Sequence, residues 1–497
     1  MNLKKFFSCV TIIYCSSCTF CFFSLSAVGL KNNDENQIEF SNDNHKSSFG
    51  KISLNLDKAM DMGEKASYLA KMAIADYKAL TFSQDAVLRK AYPSVSIDAN
   101  RYIFSSSVNK ATGVKFNGLK LYPKVSSEVG VTVVQPIGSL FEIFALVKAS
   151  SAFVKVAIEN AKQSKVDARF NAATAFINFK KGSQLVKVAQ ASVESTEKQF
   201  ENAKALDLVG KIARADLLKF QLSLANALTN LAMAKETYEV TKIILAESIG
   251  LSNPELIEID QNDDSFFQQP FNKTLDQNTL LEMAFENRYD FASANHSVNA
   301  AKYSKIVQMT NYVPKVDFVM SYTRDLDVQS INTSPVTIPA TSYSSAVTLS
   351  PGYNYSKSDI QDRFLFGLKL NWTIWDWGVR QANIDEKIAE ESKAKVALDY
   401  KKSMIRIEVQ KALLHLKFSL QNIESAKTSL TLAEEAYTRS NARFETGKET
   451  AADLIGAESD QTRARGNLED AKGDLILSWL SLFKTIGLPL ELKQGAL

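Results

Sequence analysis

Hydrophobic residues recur along the chain with two different periods. Two stretches, 137–253 and 352–488, contain no proline and place apolar residues at alternating spacings of three and four. That spacing is typical of long helices that pack through a narrow seam in a left-handed coiled coil. It predicts outgoing helices over 141–207 and 378–444, each followed by a returning helix. The outgoing seams are Val186, Ala189, Val193, Thr196, Phe200 and Ala203, then Ile423, Ala426, Leu430, Ala433, Tyr437, Ser440 and Phe444.

Ahead of these helices the period changes to two. Four segments alternate apolar with polar side chains, which predicts strands with one apolar and one polar face. Each is about ten residues long, the length of a strand that crosses a membrane at a tilt. Polar loops over 105–124 and 324–362 join the strands in pairs, and a helix is predicted before each pair, over 54–90 and 279–311. The apolar positions are Val95, Ile97, Ala99, Val129, Val131, Val133, Val316, Phe318, Met320, Tyr322, Phe364, Phe366, Leu368, Leu370 and Trp372.

The chain is an internal duplication. Shifted by 237 positions against itself, it shows 15 identities over the 47 positions 205–251. Composition alone would produce roughly three. Pro93 corresponds to Pro314 at the shorter offset of 221, so the second polar loop is longer by 16 residues. The identical pairs include Gly210/Gly447, Lys211/Lys448, Asp216/Asp453, Leu217/Leu454 and the run Ile249-Gly250-Leu251/Ile486-Gly487-Leu488.

Each copy is predicted to form a helical hairpin that turns at a glycine. Gly210 and Gly447 follow the outgoing helices, at the position where glycine readily adopts the left-handed backbone that ends a helix. Asp216 and Asp453 fall in the first turns of the returning helices, where the helix dipole stabilises a carboxylate. A helix-terminal role for both acids is therefore one interpretation.

The N-terminal segment is predicted to be a secretory signal peptide. Two lysines precede an apolar stretch over about 6–25, and small residues follow it. Cleavage after Ala27 or Gly29 would remove all four cysteines and two of the 58 basic residues, leaving 56 basic against 55 acidic. No leucine-headed triplet of small residues precedes a cysteine, which argues against lipidation. The predicted organisation is a signal peptide (1–29), a mobile segment (30–51), a first repeat (52–251), a linker (252–278), a second repeat (279–488) and a C-terminal tail (489–497).

Composition excludes several classes of function. The near-neutral charge gives no reason to expect nucleic acid as a partner. The three histidines, His45, His296 and His415, are not spaced as metal ligands, and no hydrolase, zinc-protease or dinucleotide motif occurs. We therefore expect no enzymatic activity, no metal and no cofactor.

The amphipathic strands require an assembly of several chains. Four strands cannot close a membrane barrel, because the smallest such barrels have about eight, and an unpaired strand edge in lipid is prohibitive. Several copies would have to pool their strands and, beyond the membrane, their helices. Such an assembly is a conduit. Trp372, Trp375 and Trp377 fall where the last strand meets its helix, where an interfacial aromatic belt would lie.

Three motifs in this arrangement resemble the TolC family of outer-membrane channel proteins. The segment Asn287-Arg288-Tyr289-Asp290-Phe291 is similar to the Asn-Arg-Pro-Asp-Leu that opens the family's second repeat. The segment 444–454, Phe-Glu-Thr-Gly-Lys-Glu-Thr-Ala-Ala-Asp-Leu, resembles the family's hairpin tip. The segment Asp376-Trp377-Gly378-Val379-Arg380 resembles its Asp-Gly-Gly-x-Arg junction between strand and helix. The spacing of the three motifs within a duplicated chain carries the resemblance.

The resemblance implies a mainly α fold with membrane β-strands. Three protomers would form a barrel of twelve strands in the outer membrane and a coiled-coil α-barrel of twelve helices in the periplasm. It also implies a periplasmic adaptor and an inner-membrane transporter as partners. Asp453 matches the acid that rings the family's closed entrance, Asp216 is its counterpart, and Glu449 replaces a basic gate residue. Gly210, Lys211, Gly447 and Lys448 would mark the tips that an adaptor contacts.

One alternative and one question stay open at this point. A periplasmic coiled-coil adaptor without a channel also has long helical hairpins, although adaptors have one hairpin rather than two and lack strands with an apolar face. Drug efflux and type I protein secretion use the same kind of channel, so the sequence does not identify the substrate.

Overall fold

The computed structural model describes residues 52–103, 125–259, 276–326, 329–332, 336–338, 347–350, 354–357 and 361–490. The predicted signal peptide (1–29), the mobile segment (30–51), the polar loop 105–124, linker residues 260–275 and tail residues 491–497 lie outside the described residues. Among the helices of the described part, none is long and apolar enough to cross a membrane.

The long helices end within a residue or two of the positions that the heptad pattern predicted. Helix α3 spans Leu140–Leu208 and α7 spans Val379–Glu445. At about 1.5 Å per residue each is roughly 100 Å long. The returning helices are α4, Arg214–Ser248, and α8, Ala451–Ile486.

Each helix predicted ahead of a strand pair is in fact two helices, so the prediction of one continuous helix was wrong. The first consists of α1, Leu56–Ala66, and α2, Tyr68–Arg89; the second of α5, Gln277–Asn287, and α6, Tyr289–Met309. The breaks at Ser67 and Arg288 are 221 residues apart and both have an extended ψ near 120°. The Ser67 hydroxyl accepts a hydrogen bond from the Ala70 amide and so caps α2.

The four predicted strands form one antiparallel sheet. They are β2, Ser94–Ile103; β3, Val125–Pro136; β5, Lys315–Asp325; and β10, Gln361–Asn371, in the order β2-β3-β5-β10. In the register, Ile97 lies opposite Val131, Val131 opposite Tyr322, and Tyr322 opposite Phe364. Facing residues share a side of the sheet, so the apolar positions of all four strands form a single face, as predicted.

Shorter strands appear where the sequence predicted only loop or linker. Strand β1, Ile52–Leu54, pairs in parallel with β4, Ile257–Ile259, which lies in the predicted linker. Within the predicted polar loop 324–362, β6 (Gln329–Asn332) pairs with β9 (Asn354–Lys357), and β7 (Val336–Ile338) pairs with β8 (Val347–Ser350). Strands of three or four residues carry too little alternation to be predicted by period.

The helices pack in rows of the same order as the sheet. Nearer the sheet, α2 packs against α3, α3 against α6, and α6 against α7. Nearer the hairpin tips, α4 packs against α3, α3 against α8, and α8 against α7. At each level the outermost elements are therefore β2, α2 or α4 on one side and β10 or α7 on the other. The main buried cluster lies between these levels and includes Phe179, Leu245, Ile405, Leu480 and Ile486.

Candidate functional site

The two hairpin tips have the same backbone geometry. Gly210 and Gly447 have φ angles of +66° and +70°, a region that side chains with a Cβ seldom adopt. The Lys211 amide donates to the Leu206 carbonyl at 2.9 Å, and the Lys448 amide donates to the Arg443 carbonyl at 2.9 Å. These bonds are those of the Schellman motif that ends a helix. The predicted glycine turns are confirmed at both tips.

The returning helices begin differently in the two repeats. At the second tip, Thr450 and Asp453 form a reciprocal capping box: the Thr450 hydroxyl accepts from the Asp453 amide at 3.3 Å, and the Thr450 amide donates to the Asp453 carboxylate at 3.4 Å. The Thr450 hydroxyl also donates to this carboxylate at 2.7 Å. At the first tip the equivalent cap residue is Ala213, which has no side-chain acceptor. Asp216 instead pairs with Lys219 at 2.9 Å.

Glu449 lies against its own hairpin. Its carboxylate accepts a hydrogen bond from the Ser440 hydroxyl at 2.9 Å and lies 3.4 Å from the Arg443 Nε. Its side chain is only 19% exposed. Lys211 and Lys448, by contrast, are exposed at the turns themselves. The tips therefore present lysines outward and hold one acid inward.

The four long helices converge just behind the tips. Leu217, Phe220 and Leu454 are buried together, and the rings of Phe220 and Phe444 meet edge to face with centroids 5.6 Å apart. This contact brings α4 of the first repeat against α7 of the second. Sequence reasoning placed Phe444 on a within-hairpin seam and did not foresee this contact.

Further from the tips, the contact between the repeats becomes polar. The Ser192 hydroxyl donates to the Glu458 carboxylate at 2.9 Å, and the Gln199 amide donates to the Tyr437 hydroxyl at 3.2 Å. Lys181 pairs with Asp474 at 3.0 Å. Glu458 is buried, and burial raises the pKa of its carboxyl group, although the Ser192 bond opposes this shift. The heptad pattern placed Tyr437 on a seam within its own hairpin, and the other five residues were missed because that pattern identifies apolar seams only.

Arg288 organises the break between α5 and α6. Its guanidinium donates to both oxygens of Asp290 at 2.9 and 2.6 Å, to Glu408 at 2.6 Å and to the Thr485 carbonyl at 3.2 Å. Burial disfavours the Asp290 carboxylate, but the bonds from Arg288 and Lys401 outweigh it and lower the pKa of Asp290 to about 2. The motif therefore joins α6 to α7 and α8.

The three tryptophans lie where they were predicted, between the end of β10 and the start of α7. The Trp372 indole N–H donates to the Tyr312 carbonyl at 3.3 Å. The rings of Trp375 and Trp377 meet edge to face at 5.8 Å and are largely exposed. Within the described residues, no group of histidine, cysteine, aspartate or glutamate side chains could hold a metal ion.

Comparison with known families decides the class of protein. The sequence model described as Outer membrane efflux protein matches residues 69–251 and 280–488, one segment in each copy of the duplicated unit. The chain belongs to the outer membrane efflux protein family. The resemblance to TolC-type channels is thereby confirmed. No curated protein matches the sequence.

Solved structures share this fold at low sequence identity. The Campylobacter jejuni CmeC outer membrane channel is 14% identical, with a TM-score of 0.68 over 89% of this chain and 90% of that one. VceC of Vibrio cholerae is 14% identical, with a TM-score of 0.68 over 88% of this chain and 97% of that one. The Neisseria gonorrhoeae MtrE channel in its open state is 17% identical, with a TM-score of 0.67 over 91% of this chain and 95% of that one.

As an outer membrane efflux protein, the chain is a subunit of a channel-tunnel for efflux or secretion. The family consists of channel proteins rather than enzymes. The alternative of a periplasmic adaptor without a channel finds no support in these matches.

Proposed function

We propose that three copies of this outer membrane efflux protein close into one ring. The ring combines a barrel of twelve strands in the outer membrane with a helical tunnel in the periplasm. Its hairpin tips form a gate at the inner end, where a periplasmic adaptor and an inner-membrane transporter dock. The observation that carries the proposal is that one copy has two open edges, both in the sheet and along the helices above the tips.

The sheet has an unpaired strand on each side. Strands β2 and β10 each pair with one neighbour only within the four-stranded sheet. Both expose apolar side chains, among them Ile97 and Phe364. Unpaired edges in lipid are prohibitive, so β10 of one copy is expected to pair with β2 of the next. Four strands per copy then give the twelve strands of a closed barrel.

The helices have matching apolar edges. One side of α7 carries a row of exposed apolar residues, which we call the α7 stripe. It lies opposite the buried face that includes Ile405 and Val409. On α4, a second exposed stripe, the α4 stripe, lies opposite Leu217 and Phe220. Exposed apolar stripes of this length indicate a packing partner. The α7 stripe is Val396, Tyr400, Ile407, Leu414, Phe418 and Leu432; the α4 stripe is Leu218, Leu222, Met233, Val240 and Ile244.

The two stripes overlap in height above the tip. Phe220 and Phe444 mark one level, because their rings are in contact. Met233 lies 13 residues beyond Phe220 and Leu432 lies 12 residues before Phe444. At ~1.5 Å per residue both are therefore roughly 20 Å above that level. Nearer the sheet, α2 exposes Phe82, and α2 is the outermost helix that would meet α7 of a neighbouring copy.

The tips supply the gate of the proposed tunnel. Asp453 is exposed in the first turn of α8, and Asp216 is half-buried at the same place in α4. Three copies would bring three of each to the tunnel entrance, where a ring of carboxylates favours cations. Glu449, bound to Ser440, would stiffen the second tip. Gly210, Lys211, Gly447 and Lys448 form the outermost surface that an adaptor would contact.

A crosslinking experiment tests the ring directly. The mature chain is expected to contain no cysteine, so a Met233→Cys/Leu432→Cys variant carries the only two thiols. Treatment of membranes with a short bis-maleimide should yield dimers and closed trimers on a denaturing gel. Each single variant should remain monomeric, because a ring contact joins two different surfaces.

Two other results would count against the proposal. Crosslinked dimers from either single variant would indicate a two-fold interface instead. A ladder extending beyond three copies would indicate an open assembly.

A deletion experiment addresses the transported substrate. Deleting the protein and measuring both dye retention and secreted proteins would distinguish drug efflux from protein secretion.

A further inference from the structure

A buried acid lies in the polar boundary between the two repeats. Glu458 of α8 is 4% exposed. Its carboxylate accepts a hydrogen bond from the Ser192 hydroxyl of α3 at 2.9 Å and another from the Thr462 hydroxyl, one turn further along α8, at 3.1 Å. Both donors are neutral, so these bonds offset only part of the cost of burying an ionised carboxylate. The closed boundary therefore suits the protonated acid better than the carboxylate.

The charged groups around Glu458 do little to hold its negative charge. Helix α8 packs against α3, α4 and α7, and α3 contributes the serine hydroxyl just described. Arg465, on α8 itself, favours the ionised form, but it pairs with Glu434 of α7 at 3.0 Å. On α4, Asp216 and Lys219 pair with each other at 2.9 Å. Burial therefore outweighs these groups and raises the pKa of the Glu458 carboxyl.

The same boundary holds a second group that would gain from water. Gln199 of α3 donates to the Tyr437 hydroxyl of α7 at 3.2 Å, and this hydroxyl also lies 3.3 Å from the Ser195 hydroxyl. The Gln199 side-chain oxygen is buried, and no donor reaches it within the described part of the chain. A buried acceptor without a donor loses the hydrogen bonds that water would supply. Admitting water between the repeats would therefore satisfy this oxygen as well as an ionised Glu458.

Glu458 lies one helical turn from the contacts that join the repeats at the tips. Leu454 precedes it by four positions on α8 and is buried in one cluster with Phe220 of α4. Phe220 in turn meets the ring of Phe444. A displacement of α8 that breaks these contacts also moves Glu458 away from Ser192, because one helical turn is rigid. The protonation state of Glu458 therefore changes the cost of separating the repeats behind the tips.

We propose that Glu458 is a proton-controlled latch, which holds α8 of the second repeat against α3 of the first and so sets how readily the proposed gate opens. The protonated side chain stays in the closed boundary with Ser192. Once ionised, it gains full hydration only when α8 moves away from α3. The effect on the gate rests on the proposed function, whereas the latch itself lies within one chain.

The direction of the pH effect follows from the two environments. In a separated boundary the hydrated acid would return to its ordinary pKa of 4.5, while the closed boundary raises that pKa. The closed state therefore binds the proton more tightly, and its advantage decreases as the pH rises through the raised pKa. One proton per copy changes the equilibrium by at most about tenfold per pH unit. Three copies that open together would change it by up to about a thousandfold.

The reactivity of a thiol in the boundary tests the latch. Ser195→Cys places a thiol beside Tyr437 in a mature chain that is expected to contain no other. A charged methanethiosulfonate reagent modifies this variant and Ser195→Cys/Glu458→Gln between pH 4.5 and pH 8. The ratio of the two rates cancels the titration of the thiol itself. We expect a ratio near one at pH 4.5 that rises by up to about tenfold per pH unit and then levels. The exposed control Glu424→Gln should react as the parent does.

Conductance in planar bilayers tests the effect on the gate. An Asp216→Asn/Asp453→Asn background removes the tip acids as a second source of pH dependence. In this background the channel should spend more time closed as the pH on the tip side is lowered. Glu458→Gln should stay as closed at pH 8 as its parent is at pH 4.5. Glu458→Asp keeps a titratable group and should restore a pH dependence.

Each part of the proposal has a result that overturns it. A rate ratio that stays constant from pH 4.5 to pH 8 would show that Glu458 is not a latch. Glu458→Gln channels that keep the pH profile of their parent would show that the latch does not act on the gate. Failure of the proposed channel would differ, because no variant would then form trimers or conduct, while the thiol ratio would still decide whether the latch exists.

Discussion

The seam inside each hairpin and the seam between the repeats are built from different side chains. Inside the first hairpin, buried Phe179 of α3 stacks on Tyr238 of α4 with ring centroids 5.2 Å apart. Between the repeats, Ser192 meets Glu458 and Lys181 meets Asp474. Separating an apolar seam exposes surface at a cost of about 25 cal/mol per Å². Separating a polar seam exchanges each hydrogen bond for one to water, at about 1 kcal/mol.

The comparison indicates how the hairpins can move. We expect each hairpin to move as a rigid pair of helices, because apolar side chains line most of its seam. Between Lys181 and Gln199 the boundary between the repeats is polar and is the less costly place to open. The main buried cluster joins the two repeats on one side of this stretch, and Phe220 and Phe444 join them at the tips. Opening of the proposed gate would therefore need to separate Phe220 from Phe444 first.

The largest loss of stability is expected from a substitution in the apolar seam. Phe179→Ala should lower the free energy of unfolding by about 3–5 kcal/mol, because Phe179 is 1% exposed and the cavity would lie between two helices. Urea titration of the helical circular dichroism signal measures the loss. Phe179→Leu, which keeps most of the volume, should cost less than about 1.5 kcal/mol. An equally small effect of both variants would mean that this seam is not the rigid one.

The polar seam should respond to pH. Because burial raises the pKa of Glu458 above its ordinary value of 4.5, the folded protein holds this proton more tightly than the unfolded chain. The contribution of Glu458 to stability is thus greatest below pH 4.5 and decreases as the pH rises through the folded pKa. Glu458→Gln should remove this pH dependence, while the glutamine side chain still offers an oxygen that accepts from the Ser192 hydroxyl.

Thermal unfolding of both proteins across that pH range measures the difference. Arg465, on the same helix, is the nearby charge that favours the ionised form. Exposed Glu424→Gln on α7 serves as the control and should leave the pH profile unchanged. A profile for Glu458→Gln that matches the parent would show that the buried carboxyl does not govern this seam.

Much of this architecture follows from the sequence, and the exceptions have physical causes. Repeated periods predicted α3, α7 and the four main strands, because a long seam or sheet face leaves many regularly spaced residues. The break at Ser67 has a local cap from the Ser67 hydroxyl to the Ala70 amide, which the apolar period does not report. The break at Arg288 was missed because it depends on Glu408 and Thr485, which are distant in sequence. The polar seam was missed for the same reason, since Ser192 and Glu458 are 266 positions apart.

The two tips differ in their caps, and a reciprocal exchange sharpens that difference. Thr450→Ala removes the side-chain acceptor at the start of α8 and should cost about 1 kcal/mol. Ala213→Thr introduces an acceptor at the start of α4, where the parent has none. It should raise the free energy of unfolding by part of that amount. Hydrogen exchange of the first-turn amides measures both effects locally. Equal exchange rates in the two parent tips would contradict the importance of the capping box.

Changes to the two tip acids, Asp453 and Asp216, should have the smallest effect on stability. They should have the clearest effect on the ion selectivity of the proposed gate. Asp453→Asn removes a charge at the helix start but keeps an oxygen that can accept from Thr450, so it should cost about 0.3–1 kcal/mol. In planar bilayers the channel should become less cation-selective and less sensitive to block by multivalent cations. Asp216→Asn is the matched change in the first repeat. It should have the weaker effect, because Asp216 is already neutralised by Lys219 at 2.9 Å. Unchanged conductance in Asp453→Asn, with an intact trimer, would leave Asp453 with its helix-capping role alone.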